Sequence, residues 1–212
     1  LVDHLASAFS AKVFAEGRSP FDGRMGAATV SPLLDLADDA LGDGALGLPF
    51  DAEGTPKVRV ALLTGGVVTG LVHDRTSAAA AGTESTGHGW AAPNPSGPAP
   101  SHLVLAPGTS PVDELEAGID RGLLVTRFWY TRDVNPKRTL ITGMTRDGTF
   151  LIEGGHRGPP VRNLRFNISI VEALGACDGV GDRTQPSSDE GADIRTPALR
   201  LRSFRFTSSS DH

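Results

Sequence analysis

The sequence predicts an α+β fold, predominantly antiparallel β, with a curved or barrel-like sheet and a few peripheral helices. Three observations carry that prediction. Glycine (26 residues) and proline (15) are abundant while aromatics make up only 6%, so turns are frequent and elements short. Apolar runs flank Gly65-Gly66 and Asp147-Gly148, dipeptides that suit tight hairpin turns. Helical periodicity is confined to a few short stretches.

Val2, Leu5, Phe9 and Val13 form one apolar stripe, which predicts a helix stopped by Gly17. Val58, Val60 and Leu62 alternate and a second run spans Val67 to His73, giving a hairpin around Gly65-Gly66. Ser77 to Ala81 is expected to make a helical turn between Asp74 and Gly82. Residues 85–101 carry four prolines and three glycines and cannot form a regular ladder, so they form an extended surface or cavity-lining loop. Ser110 is the expected N-cap of the next helix, with Pro111 at its first position, Asp113 and Glu114 at its positive end, a Val112/Leu115/Ile119 stripe and a stop at Gly122. Leu123 to Tyr130 reads as a strand. Thr139 to Met144 and Thr149 to Glu153 read as a hairpin turning at Asp147-Gly148. Ser169 and Glu172 form a capping box for a short helix ending at Gly175. The polar stretch Asp178 to Thr196 is expected to be a loop. In the last strand Leu199 and Leu201 are odd, Phe204 and Phe206 even, so a β-bulge is expected near Ser203. Arg200, Arg202 and Arg205 would then face solvent or an acidic partner.

The chain has 212 residues, a net charge of −5 and 21% charged residues. That length supports a packed core without disulfides, and the single cysteine, Cys177, excludes an internal disulfide and any CxxC pair. The acidic balance argues against nucleic acid as a partner. No apolar run approaches a membrane span and no signal peptide opens the chain, so no membrane role and a cytoplasmic location are expected. The opening Leu1-Val2-Asp3 lacks a methionine and reads as a fragment or processed product.

Gly42-Asp43-Gly44-Ala45-Leu46-Gly47 matches GxGxxG literally, but Asp38, Asp39 and Asp43 crowd it and Pro49 follows, so a turn-rich loop is expected instead of a phosphate cradle. GxSxG, HExxH and HExxxH are all absent, and no two histidines stand at helical spacing. Cys177 follows a helix C-terminus and precedes Asp178; both disfavour a thiolate. Arg127-Phe128-Trp129-Tyr130-Thr131-Arg132 is the densest aromatic cluster, read either as a strand with one core face and one groove face or as a surface contacting peptide.

Several stretches in order carry a family resemblance: Ala15-Glu16-Gly17-Arg18-Ser19, Leu48-Pro49-Phe50-Asp51-Ala52-Glu53-Gly54, Ser85-Thr86-Gly87-His88, residues 122–130, residues 142–150, Val161-Arg162-Asn163-Leu164-Arg165-Phe166 and the Arg-x-Phe-x-Phe-Thr type ending. Together they resemble the C-terminal half of the TldD/PmbA family, viewed as metallopeptidases and once called modulators of DNA gyrase. The resemblance implies that residues 1–212 are the C-terminal domain of such a protein, with the N-terminal domain absent from this chain. Zinc-bearing members carry an HExxxH helix; the matching stretch here is Val2-Asp3-His4-Leu5-Ala6-Ser7, and Cys177 lacks the glycine-lysine surroundings of the family's liganding cysteine. No metal ligand is therefore transferred, and the chain resembles the TldE/PmbA-type member. That implies no cofactor in this chain, zinc in a TldD-like partner (or a homodimer), and a peptide substrate held in a shared cavity. The substrate-binding candidates are His88, Arg127, Trp129, Tyr130 and Arg165, with the 85–101 loop and the Arg127–Arg132 strand as cavity wall. Two other readings are a stand-alone peptidase with a nonstandard site using His88 or Cys177, and a peptide-binding module without hydrolytic activity.

Overall fold

The computed structural model describes residues 1–42, 45, 47–186 and 193–209. Asp43, Gly44 and Leu46 of the glycine motif lie outside the described residues, as do 187–192 of the polar stretch. The chain divides into two compact units, Leu1–Ala106 with Thr184–Thr196, and Pro107–Arg183 with Pro197–His212.

The first unit opens with a 3-10 turn, Asp3–Phe9, followed by α1, Ala11–Ala15. The single helix expected here is broken at Ser10, which is extended. Val72 causes the break: its amide donates to the Phe9 carbonyl (2.9 Å) and its carbonyl accepts from Ala11 (3.1 Å), so strand-like pairing claims groups a helix would use. Leu5 and Phe9 are fully buried, and the Phe9 ring lies 5.1 Å from that of Phe21. Strands β1 (Leu36–Asp38), β2 (Val60–Thr64) and β3 (Val67–Val68) follow. β2 and β3 form the expected hairpin, with Gly65 and Gly66 at φ 55° and 74° in the primed turn that matches strand twist. Helix α2, Arg75–Ala81, is capped reciprocally by Asp74 and Ser77 and ends on Gly82 at φ 66°. β4, His102–Leu105, lies antiparallel to β1. β10, Asp193–Leu201, joins β4 in parallel, and the sheet runs β3-β2-β1-β4-β10-β9, where β9 is Cys177–Pro186.

The second unit holds α3, Val112–Ala117. It is shorter at both ends than the sequence suggests. Ser110 is drawn into a bridge with Gly181 and Pro111 takes the cap position, while the Ile119 and Asp120 carbonyls accept from the Gly155 and Gly154 amides. β5 (Arg121–Asn135) and β6 (Leu140–Glu153) form a long hairpin through the 3-10 turn Pro136–Arg138. Asp147-Gly148 is therefore not a hairpin turn. It lies inside β6 as a bulge: Arg146 pairs with Arg127 and Thr149 with Val125, so two residues oppose Thr126 alone. Asp147 at φ 60° and Gly148 at φ 137° supply the geometry, and the Thr126 hydroxyl donates to the Gly148 carbonyl at 2.9 Å. β7 (His156–Pro160) and β8 (Leu164–Ser169) pair with opposite ends of β6, and β11 (Phe206–Ser209) pairs with β8. Helix α4, Ile170–Gly175, starts as expected at Ser169, whose hydroxyl accepts from the Glu172 amide.

Neither sheet is curved into a barrel, which corrects the expected architecture. Closure requires the two end strands to pair. The second sheet runs β11-β8-β6-β5, and the first runs from β3 to β9; both are open. Most of 178–196 is strand and not loop, because its backbone groups pair with chain far away in sequence: the Gly108 amide donates to the Gly181 carbonyl and the Asp182 amide to the Ser110 carbonyl. The bulge expected at Ser203 is replaced by an interruption. β10 ends at Leu201 and β11 begins at Phe206 in the other sheet, so side-chain parity resets without a bulge. Arg200 finds an acidic group inside the chain, its Nε donating to Asp178 Oδ1 at 2.8 Å.

Candidate functional site

Alternation gives the second sheet two unlike faces. Phe128, Phe166, Phe204 and Phe206 form a ring cluster on one, with centroid distances of 4.9–5.4 Å. The intervening residues face the other way. Register places Arg127 of β5 opposite Arg146 of β6, and aligns Trp129, Met144 and Arg165 across β5, β6 and β8. Asp147 Oδ2 lies 2.7 Å from Arg127 Nη2, and Asp147 Oδ1 3.7 Å from Arg146 Nε. The Arg127 guanidinium sits 4.7 Å from the Trp129 ring centroid and that of Arg146 5.8 Å. β5 thus carries Phe128 in the ring cluster on one face and Arg127 with Trp129 on the other.

Tyr130 breaks the alternation. Trp129 pairs with Met144 and Arg132 with Thr142, so Tyr130 and Thr131 oppose Gly143 alone in a second bulge. Tyr130 takes φ 51°, a region costly for a side chain with a Cβ, and its ring meets Trp129 at 5.2 Å although the two are adjacent in sequence. At the bulge lies a cavity of about 320 Å³ lined by Tyr130, Thr142, Gly143, Met144, Arg146 and Arg165. Four of the sequence candidates therefore lie on one continuous face. Arg146, Thr142 and Met144 were not candidates; the signal for them is cross-strand register, which a sequence alone does not reveal. The lining holds cations, a phenol and a hydroxyl but no carboxylate, imidazole or thiol, so it can bind and orient but offers no general base.

His88, the remaining candidate, belongs to the first unit and is buried. Its Nε2 lies 2.8 Å from Asp38 Oδ1 and its Nδ1 2.9 Å from Thr86 Oγ1. The other Asp38 oxygen accepts the Ser101 and His102 amides at 2.6 and 2.8 Å. One carboxylate at the end of β1 thereby fastens both ends of the 85–101 loop. Burial pushes the Asp38 carboxyl up, but the hydrogen bond and charge of His88, with the two amides, outweigh it and hold its pKa below the ordinary value. Lys57 donates to Ser101 Oγ at 3.0 Å, and burial lowers its ammonium pKa against the opposing pull of Asp38 and Asp51.

The donors present do not fit a catalytic zinc. Of residues 2–7 only His4 offers an imidazole, and it sits 4.0 Å from Asp3 Oδ1. Cys177 is buried, its thiol donates to the Gly179 carbonyl, and burial pushes its pKa up, the opposite of what a thiolate ligand or nucleophile needs. Among the described residues no group of three or more His, Cys, Asp and Glu side chains could hold a metal ion. Nor is any helix among them long and apolar enough to cross a membrane.

Similarity to known proteins agrees with the family resemblance. A metalloprotease of Methanothermobacter thermautotrophicus is 28% identical over 181 residues, 84% of this chain and 39% of that protein. A metalloprotease TldD homolog of Buchnera aphidicola is 26% identical over 183 residues, 84% of this chain and 37% of that protein. This chain thus spans well under half the length of either relative. The crystal structure of TldE from Thermococcus kodakarensis superposes with a TM-score of 0.82 at 25% identity, covering 93% of this chain and 45% of that one. The family model of the PmbA/TldA metallopeptidase C-terminal domain matches residues 1–208. The chain belongs to the PmbA/TldA (TldD/PmbA) family.

Proposed function

We propose that this chain is the peptide-shaping, zinc-free member of a two-subunit metallopeptidase, with the zinc carried by a TldD-like partner. The observation that carries the reading is a binding face without catalytic groups. Arg127, Trp129, Tyr130 and Arg165 share one side of the β5-β6-β8 sheet around a cavity lacking any general base. The donor set at residues 2–7 and Cys177 supports it from the other side, and so does likeness to a TldE structure.

β5 is the end strand of its sheet, so its outer backbone groups are available to an extended peptide. Bulges interrupt β5 between Val125 and Arg127 and between Trp129 and Arg132, leaving Arg121–Val125 as an uninterrupted stretch. Backbone pairing supplies affinity with little sequence preference, and the arginine-aromatic face supplies the selectivity. In this reading His88 acts through Asp38, holding both ends of the 85–101 loop. A stand-alone peptidase would need an accessible nucleophile or base, and neither buried His88 nor buried Cys177 supplies one.

The test is hydrolysis of an unstructured peptide by this chain, by a zinc-bearing TldD-like protein, and by their mixture. The reading expects no cleavage by this chain and faster cleavage by the mixture than by the partner alone. Cleavage by this chain at the rate of the mixture overturns it.

A further inference from the structure

The proposed peptide-binding face contains a feature that extended backbone pairing does not require. Arg165, Arg146 and Tyr130 line one cavity of about 320 Å³ together with Thr142, Gly143 and Met144. Arg146 is only loosely paired, at 3.7 Å from Asp147, whose other oxygen is held by Arg127 at 2.7 Å. Arg165 is exposed, and its guanidinium has no hydrogen bond or ion pair to any described residue. Two guanidinium groups converging on a cavity repel each other unless an anion lies between them. The fork geometry of arginine matches a carboxylate, and a phenol O–H adds a third donor.

Tyr130 strengthens the point. An exposed residue is held at φ 51° by a bulge, and it lines the same cavity as these arginines. Local strain of this kind persists where surrounding structure imposes it, and it is enriched at ligand sites. A phosphate would also suit the cations, but the proposed ligand is a peptide, and a carboxylate is the anion peptides carry.

We infer that the Tyr130–Arg146–Arg165 cavity is a subsite for a carboxylate of the bound peptide, supplied by its C-terminus or by an acidic side chain. The inference rests on the peptide reading above and deepens it. It predicts that the chain distinguishes peptides by a negative charge, in contrast to the sequence-tolerant pairing of the β5 edge.

The chain has two tryptophans, so a Trp90→Phe background leaves Trp129, which touches the Arg146 guanidinium, as the sole reporter. Its fluorescence is titrated with acetyl-Ala-Ser-Ala-Ser-Ala bearing a free C-terminal carboxylate, with the same peptide as its carboxamide, and with acetyl-Ala-Ser-Glu-Ser-Ala carboxamide. The free acid is expected to bind about tenfold more tightly than the carboxamide, the value of one hydrogen-bonded charge. Arg165→Gln should abolish that preference and Arg165→Lys should restore part of it. If the glutamate peptide matches the free acid, side-chain carboxylates enter the subsite; if it matches the neutral carboxamide, the subsite takes the C-terminus. Equal binding of acid and neutral carboxamide, or a preference that survives Arg165→Gln, overturns the carboxylate subsite and leaves the peptide reading standing. No response to any of the three peptides removes both.

Discussion

Asp38 decides the behaviour of one end of the first sheet. Its two oxygens hold His88 and the Ser101 and His102 amides, so the 85–101 loop has both ends on a single buried carboxylate. Its folded pKa lies below the ordinary value of 3.8, hence its contribution is present above about pH 3.8 and is lost as the pH falls through the lower folded value. A urea midpoint comparison between pH 3 and pH 7 should therefore show a larger acid loss in the native chain than in Asp38→Asn. His88→Ala leaves that carboxylate short of a partner and is expected to cost about 3 kcal/mol; an unchanged midpoint would contradict the clamp. Tyr130 makes the opposite kind of prediction. Glycine at φ 51° escapes a strain of about 1–2 kcal/mol, which offsets the lost ring contact with Trp129, whereas a β-branched residue there makes the strain worse. Thermal unfolding should rank Tyr130→Gly at or above the native chain and Tyr130→Val clearly below it, while peptide affinity falls in both. At this scale the sequence offered His88, Arg127, Trp129, Tyr130 and Arg165 as candidates, and strand pairing puts the last four on one sheet. It could not show that Arg146 joins them, because that follows from pairing with Arg127 across a hairpin whose turn lies at Pro136–Arg138.

Elements whose determinants are local were legible. Gly65-Gly66, the Asp74–Gly82 caps and the Ser169 cap each carry their own backbone chemistry, and each appears where the residues place it. Elements fixed by distant partners were not. Asp147-Gly148 has the dihedral preferences of a hairpin turn, but those same positive φ values suit a bulge, and pairing with β5 selects the bulge. The 178–196 stretch is too polar to read as strand, yet the Gly181 carbonyl accepts from the Gly108 amide and the Asp182 amide donates to the Ser110 carbonyl. The β2–β3 turn gives a test that separates strain from crowding. Alanine at Gly65 meets nothing nearer than 3.9 Å and should cost only the positive-φ strain of about 1–2 kcal/mol. Alanine at Gly66 would place its Cβ 2.5 Å from the Val30 carbonyl and 2.6 Å from that of Ser31, so chemical denaturation should find Gly66→Ala less stable than Gly65→Ala. Equal losses would mean that the loop at Val30 yields freely.

For the whole molecule, family membership was readable because short stretches recur in order along nearly the entire chain, and the match over residues 1–208 bears this out. That both sheets stay open, where a barrel-like sheet was expected, was not readable, since closure depends on which strands end a sheet and no local pattern encodes that. What the chain does within its family turns on the donor set: among the described residues no group of three or more His, Cys, Asp and Glu side chains could hold a metal ion. The most direct measurement is the zinc content of the chain purified alone, without added metal or chelator, by elemental analysis. The zinc-free reading predicts a value close to zero. Stoichiometric zinc that survives dialysis would contradict it and would assign the chemistry to this chain.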